Sequence, residues 1–192
     1  MSKRYGIVIN LEKCIGCHAC TIACKMQNGT ELDIDWTRVK TVGDPKAKIG
    51  QDIPRGSFPH LSLSWLPILC MHCSDPPCVR RCPSRALTQR DDGIVVFDKQ
   101  TCIGCQACGW VCPYDIPRYS SADGTVEKCH LCFSRIDRGK EPFCVTACVY
   151  GARIFGDLNN PESAVSKLIA RKQGRQHLPE YGTNPTIRYV GP

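Results

Sequence analysis

Sixteen cysteines in 192 residues fall into four groups of four, and this grouping constrains the fold more than any other feature. They are Cys14, Cys17, Cys20 and Cys24; Cys70, Cys73, Cys78 and Cys82; Cys102, Cys105, Cys108 and Cys112; and Cys129, Cys132, Cys144 and Cys148. The first and third groups share the spacing C-x2-C-x2-C-x3-C, and no cysteine is left over. The opening stretch from Met1 to Asn10 has neither an apolar core of signal-peptide length nor a small-residue cleavage site. This weakens the reading of the cysteines as a secreted disulfide scaffold.

That spacing is the run that binds [4Fe-4S] clusters in bacterial ferredoxins, and Pro113 follows Cys112 as it does there. Three thiolates of such a run wrap one cluster, while the fourth is carried away to ligate its neighbour, so clusters come in cross-linked pairs. The second and third groups are adjacent in sequence and form one pair. The first and fourth must then meet across the whole chain. On this arrangement Cys70, Cys73, Cys78 and Cys112 hold one cluster, and Cys102, Cys105, Cys108 and Cys82 the next. Cys14, Cys17, Cys20 and Cys148 hold a third, and Cys129, Cys132, Cys144 and Cys24 a fourth. Four [4Fe-4S] clusters are the expected cofactors, their iron bound through all sixteen cysteines. Zinc, the competing metal, prefers two C-x2-C pairs on longer loops to three cysteines within seven residues.

The chain also repeats itself. Cys14-Ile15-Gly16-Cys17-His18-Ala19-Cys20 matches Cys102-Ile103-Gly104-Cys105-Gln106-Ala107-Cys108 at all but one position. Pro76-Pro77-Cys78-Val79 parallels Pro142-Phe143-Cys144-Val145. The fold class expected is α+β, two ferredoxin-like 2[4Fe-4S] modules related by a pseudo-two-fold duplication, within one compact domain over 1–192. One module is contiguous at 66–120, and the other joins 1–30 to 121–157. A small β insertion fills 31–65, and 158–192 supplies a C-terminal helix and an extended tail. Strands are expected at Tyr5 to Asn10, Ile94 to Asp98 and Leu61 to Leu66, with a turn at Asp92-Gly93. The helix is expected to start at Asn160-Pro161-Glu162, with Ala164, Val165, Leu168 and Ile169 on its apolar face, and the tail ends in Thr186 to Val190. With clusters supplying much of the core, the apoprotein should be largely unfolded.

The formal charge of +7 counts cysteines as neutral. Sixteen thiolates around four doubly positive cores bring the loaded chain to roughly −1, so the basic balance compensates buried clusters and is no nucleic-acid footprint. No stretch approaches the length of a membrane span, so no direct membrane insertion is expected. With every cysteine a ligand, no thiol nucleophile remains and no active site of its own is expected. His18, His72 and His130 read as loop-filling residues inside the cysteine loops; His60 and His177 are isolated. Arg80, Arg81, Lys25 and Arg118 are candidates to raise nearby cluster potentials by charge. A string of clusters makes physical sense as a wire joining two partners.

These residues resemble the four-cluster electron-transfer subunits of molybdopterin or tungstopterin oxidoreductases, such as the polysulfide, thiosulfate, dimethyl sulfoxide and arsenate reductases. The likeness runs through Cys70-Met71-His72-Cys73-Ser74-Asp75-Pro76-Pro77-Cys78, from Lys128-Cys129 through Arg135, Gly139 and Pro142 to Cys144-Val145, and along Ala152-Arg153-Ile154-Phe155-Gly156-Asp157-Leu158. It implies a large pterin-containing catalytic subunit as partner and, beyond it, an integral membrane quinol-binding subunit. The site of Cys14, Cys17, Cys20 and Cys148 would face the catalytic subunit, and that of Cys70, Cys73, Cys78 and Cys112 the membrane subunit. Lys25 and Val149 stand where a proline often follows the fourth cysteine. The resemblance implies membrane association through partners at the periplasmic face, by export with a signal-bearing catalytic subunit; the alternative is cytoplasmic. The other readings open are a four-cluster subunit of a hydrogenase or formate-linked complex, and a free polyferredoxin. The insertion and the C-terminal part are expected to dock on the catalytic subunit.

Overall fold

The computed structural model describes residues 2–43 and 53–191, so the 44–52 part of the insertion lies outside the described residues. The first elements are β1 (Tyr5–Asn10), α1 (Ala19–Asn28), β2 (Thr37–Val42), β3 (Arg55–Ser57), β4 (His60–Ser62) and β5 (Ser64–Leu69). Next come α2 (Pro77–Arg81), β6 (Leu87–Gln89), β7 (Val95–Phe97), α3 (Ala107–Trp110), β8 (Arg118–Ser120) and β9 (Thr125–Glu127). The chain ends with α4 (Phe133–Ile136), α5 (Phe143–Thr146), β10 (Arg153–Asp157), α6 (Ala164–Lys172) and β11 (Arg188–Val190). The architecture is mixed α and β, with short helices and small sheets. Among the described residues no helix is long and apolar enough to cross a membrane.

β1 is the spine of the three-stranded sheet, with β10 antiparallel on one side and β11 parallel on the other. Successive side chains of a strand point to opposite faces. Ile7 and Ile9 accordingly enter the main core beside Cys20, Cys70, Cys129 and Cys144, while Val8 packs with Val165 and Val190 beneath α6. The cysteines thus belong to the same packed interior as the aliphatic core. The remaining sheets are pairs: β2 with β5, β3 with β4, β6 with β7, and β8 with β9.

The helices that carry cysteines also pack in pairs, α1 on α5 and α2 on α3. α1 ends at Gly29, whose φ of 61° lets its N–H close on Lys25 O. Pro76-Pro77 starts α2, where a proline in the first turn forfeits no intrahelical hydrogen bond.

Two expectations about elements need correction. The single strand at Leu61 to Leu66 is two, β4 in the exposed β3–β4 hairpin and β5 on β2; Pro67, which has no N–H to give, fits a two-stranded ribbon. The C-terminal helix starts later than expected. Asn160 Oδ1 takes the Glu162 N–H at 2.9 Å in a local turn, and Ser163 Oγ caps the helix by accepting from Ser166 N at 3.2 Å.

The tail packs on the chain itself, ending in β11 at the edge of the β1 sheet. Ile187 is 0% exposed, and Thr186 N donates to Met71 O at 2.9 Å. Tyr189 donates its hydroxyl to Pro67 O at 2.7 Å. Ser74 N and Asp75 N reach the carbonyls of Asn184 and Thr183, so the tail ties the Cys70–Cys78 loop to β1. α6 likewise buries Val165 against the sheet, with Leu168 and Ile169 packed beside it. The 31–43 part of the insertion also packs inward: Trp36 Nε1 donates to Glu127 and Arg38 to the carbonyls of Tyr114 and Asp115. The β3–β4 hairpin is its exposed part.

Candidate metal centres

Each C-x2-C loop turns left-handed one residue before its second cysteine. The residues there are Gly16 (φ 70°), His72 (φ 41°), Gly104 (φ 68°) and Leu131 (φ 55°). Such a turn aims backbone N–H groups inward at the sulfurs. Gly104 N donates to Cys102 Sγ at 3.5 Å and Leu131 N to Cys129 Sγ at 3.4 Å. A Cβ on Gly16 would collide with the Trp65 indole, and one on Gly104 with Gly124 O, so both positions need glycine for space as well as for φ. The repeated loops agree beyond this point. His18 (φ 58°, ψ 6°) and Gln106 (φ 58°, ψ 4°) occupy the same left-handed step and open α1 and α3.

The sixteen sulfurs gather in four places. One cavity is lined by Cys14, Cys17, Cys20 and Cys148, a second by Cys82, Cys102, Cys105 and Cys108, and a third by Cys70, Cys73, Cys78 and Cys112. Their volumes, mouths included, are about 380, 320 and 360 Å³. Near-equal chambers with four thiols each suit one repeated, bulky occupant. Among the described residues, no group of three or more Cys, His, Asp or Glu side chains is arranged to hold a single ion. Cys24, Cys129, Cys132 and Cys144 form the last group, where the Cys129 sulfur feels the charges of the other three. Each gathering joins three cysteines of one quartet to the last cysteine of another.

These places form a row. Cys20 of the first group acts on Cys144 of the next, and Cys70 acts on Cys129. Cys78 packs in one apolar cluster with Cys82 and Cys108. The Cys14 site is therefore first, the Cys129 site second, the Cys70 site third and the Cys102 site fourth. All four cysteines of the second site are buried, whereas Cys17 at one end and Cys105 at the other are exposed. The outer position away from Cys14 belongs to Cys82, Cys102, Cys105 and Cys108. The Cys70 site, which the resemblance would turn toward a membrane subunit, stands one place further in, with Cys70 and Cys73 buried and Cys78 and Cys112 half-buried.

Burial first sets the acidity of these groups, with a neighbouring thiol next at Cys24, Cys73 and Cys78 and opposing backbone N–H groups next at Cys108. It pushes Cys24, Cys73 and Cys78 up to about 12 and Cys108 to about 11. Such sulfurs stay protonated until a cation takes the proton's place. At Cys82 burial is outweighed by N–H groups of Leu87, Ala86 and Ser84 and by the Ser84 hydroxyl, and its pKa falls.

Three of the four charges named from sequence are engaged elsewhere. Arg80 pairs with Asp75, Arg118 with Asp115 and Lys25 with Asp35, and Arg81 is exposed. His130 packs edge-on against Trp36 and Phe133, and His177 lies between the rings of Tyr114 and Tyr189. His18 and His60 are exposed. His72 is fully buried with its Nε2 3.8 Å from Cys129 Sγ, a link across two sites that a loop-filling reading missed. Arg153 and Lys128, at 4% and 2% exposure, are the buried cations lining the chambers, and the exposed Lys13 also borders the first. Burial disfavours charge on Arg153, but the sulfurs of Cys144 and Cys20 outweigh it and its pKa rises. Neither signals itself in sequence, because lysine and arginine default to the surface.

Comparison with known proteins bears on this arrangement directly. Residues 61–158 match the 4Fe-4S dicluster domain, and residues 5–26 a 4Fe-4S binding domain. The chain is 38% identical to the B subunit of sulfite dehydrogenase from Allochromatium vinosum, over 96% of this chain and 82% of that one. It is 37% identical to the B subunit of tetrathionate reductase from Salmonella typhimurium, over 98% and 72%. It is 34% identical to the B chain of polysulfide reductase from Wolinella succinogenes, over 99% and 95%. The protein belongs to the iron–sulfur B-subunit family of these oxidoreductases. Four [4Fe-4S] clusters are its cofactors, and electron transfer is its function. As a B subunit it works with a catalytic partner.

Proposed function

We propose that this chain is the wire of a molybdo- or tungstopterin oxidoreductase, with the four gatherings of cysteines as its four cluster sites. The single observation that carries the reading is the row itself, buried in the middle and exposed at Cys17 and Cys105. Each cluster, when bound, takes up and releases one electron. The chain's own part is to hold the sulfurs, aim N–H groups at them and keep water from the inner two sites. The matching left-handed steps and the helix pairs α1–α5 and α2–α3 support two duplicated modules.

Exposed apolar residues mark both ends. Ile15 and Tyr150 line the first site at 45% and 57% exposure, and Val149, next to Cys148, is 75% exposed, a face suited to the pterin subunit. Ile103 and Trp110 flank the fourth at 66% and 88%, suited to a quinol-linked membrane subunit or another redox partner. The β3–β4 hairpin, with Phe58 88% exposed, is the part of the insertion left to dock. We place the complex on a membrane through these partners, at the periplasmic face.

Isolating the native complex and analysing its large subunit for pterin, with iron and sulfide measured per copy of this chain, tests the reading. A pterin-bearing partner and about sixteen irons per copy are expected. A stable holoprotein that purifies alone, with no pterin subunit, would overturn it.

A further inference from the structure

We propose that Arg153 and Lys128 are junction charges, each set between two successive cluster sites and each holding up the reduction potentials of both neighbours. The inference rests on the site assignments above.

An arginine or lysine is rarely buried without a carboxylate, because an uncompensated charge is costly away from water. Among the described residues neither cation has a carboxylate partner. Arg153 opens β10, lines the first chamber and reaches the Cys144 sulfur of the second site. Its Nη2 donates to Thr37 Oγ1 at 3.0 Å, while Nη1 is buried without any partner. Lys128 precedes Cys129 of the second site and lines the third chamber. Its Nζ donates to Val95 O at 2.5 Å and to Cys129 O at 3.0 Å. The N–H of the same Val95 donates to His72 Nδ1 at 3.0 Å, so the ring's own proton sits on Nε2, facing Cys129. His72 in turn lies between Cys70 and Cys73 of the third site. The fourth chamber has no charged side chain in its lining.

A four-thiolate cluster carries a charge of roughly −2 and gains another negative charge on reduction. That charge is what the buried cations lack elsewhere in the fold. A cation at a boundary stabilises the reduced state on both sides, which keeps neighbouring potentials level enough for electrons to pass either way.

Redox titration of the purified complex, followed by electron paramagnetic resonance, tests this. Arg153→Gln should move two of four waves to lower potential by at least tenfold in equilibrium constant, about 59 mV for one electron. Lys128→Gln should also move two, and one wave should be common to both sets. Arg153→Lys and Lys128→Arg should leave all four near their wild-type positions. Should a glutamine variant fail to take up iron, Arg153→Met or Lys128→Met replaces it; each also removes the charge while filling the space, and the same two waves should move. Uniform shifts, no shift, or equal shifts in the charge-keeping variants overturn the proposal. Fewer than four clusters in the wild-type chain would instead defeat the site assignments.

Discussion

At the scale of single residues, the left-handed step before the second cysteine of each C-x2-C loop decides how the sulfurs are presented. Gly16 and Gly104 take it freely, and alanine at either would cost about 1–3 kcal/mol of backbone strain. Gly16→Ala must also displace Trp65, so heating should bleach its visible iron–sulfur absorbance at a lower temperature than wild type. Gly16→Ala bleaching at the wild-type temperature would show that the loop tolerates another turn. The glycines are legible in sequence because only glycine accepts this step readily. His72 and Leu131 occupy the same step without any sequence sign of it, and the surrounding core must hold them there. The exchange of last cysteines is legible only as far as the ferredoxin spacing goes, and it carries a sharp residue-level test. Cys148→Ser should disturb the spectroscopic signal of the cluster on Cys14, Cys17 and Cys20 while leaving the one on Cys129, Cys132 and Cys144 intact. The opposite pattern would mean that each quartet closes on itself.

Among the elements, β1 is legible end to end, since a β-rich run of alternating faces precedes a cysteine loop. Its two neighbours are not. β10 and β11 reach it from far along the chain, and β11 pairs in parallel through only three residues, Val8 to Arg188, Ile9 to Tyr189 and Asn10 to Val190. Nothing local in Thr186 to Val190 distinguishes a strand completing a sheet from an arm reaching to a partner; burial of Ile187 and Tyr189 decides it. Ile187→Ala should therefore destabilise the fold by about 2–5 kcal/mol, the range for emptying a packed aliphatic site. Denaturation of the loaded protein followed by circular dichroism measures it. Removing residues 183–191 should go further and prevent iron uptake, because it also strips the hydrogen bonds from the Cys70–Cys78 loop. A truncated chain that loads normally would return the tail to a docking role.

For the whole molecule, the interior is shared between aliphatic side chains and sulfur, and both fold and function depend on filling it. Thiols pushed up to about 12 at Cys24, Cys73 and Cys78 are a weak substitute for bound iron. Stripping the iron with a chelator under reducing conditions should therefore collapse the far-ultraviolet circular dichroism, and iron with sulfide should restore it. The row makes a second demand. An electron entering at the exposed Cys105 end has no other chain of sites to the exposed Cys17 end, and the buried second site is its unavoidable middle. Cys129→Ser, which removes a ligand there, should cut electron delivery through the complex to background. A small soluble donor that meets the catalytic subunit directly should still drive substrate turnover in the same variant. Loss of both activities would point to a collapsed complex, and retention of both would show that electrons bypass the second site. Only the split between them is expected of a single wire whose four sites work in series.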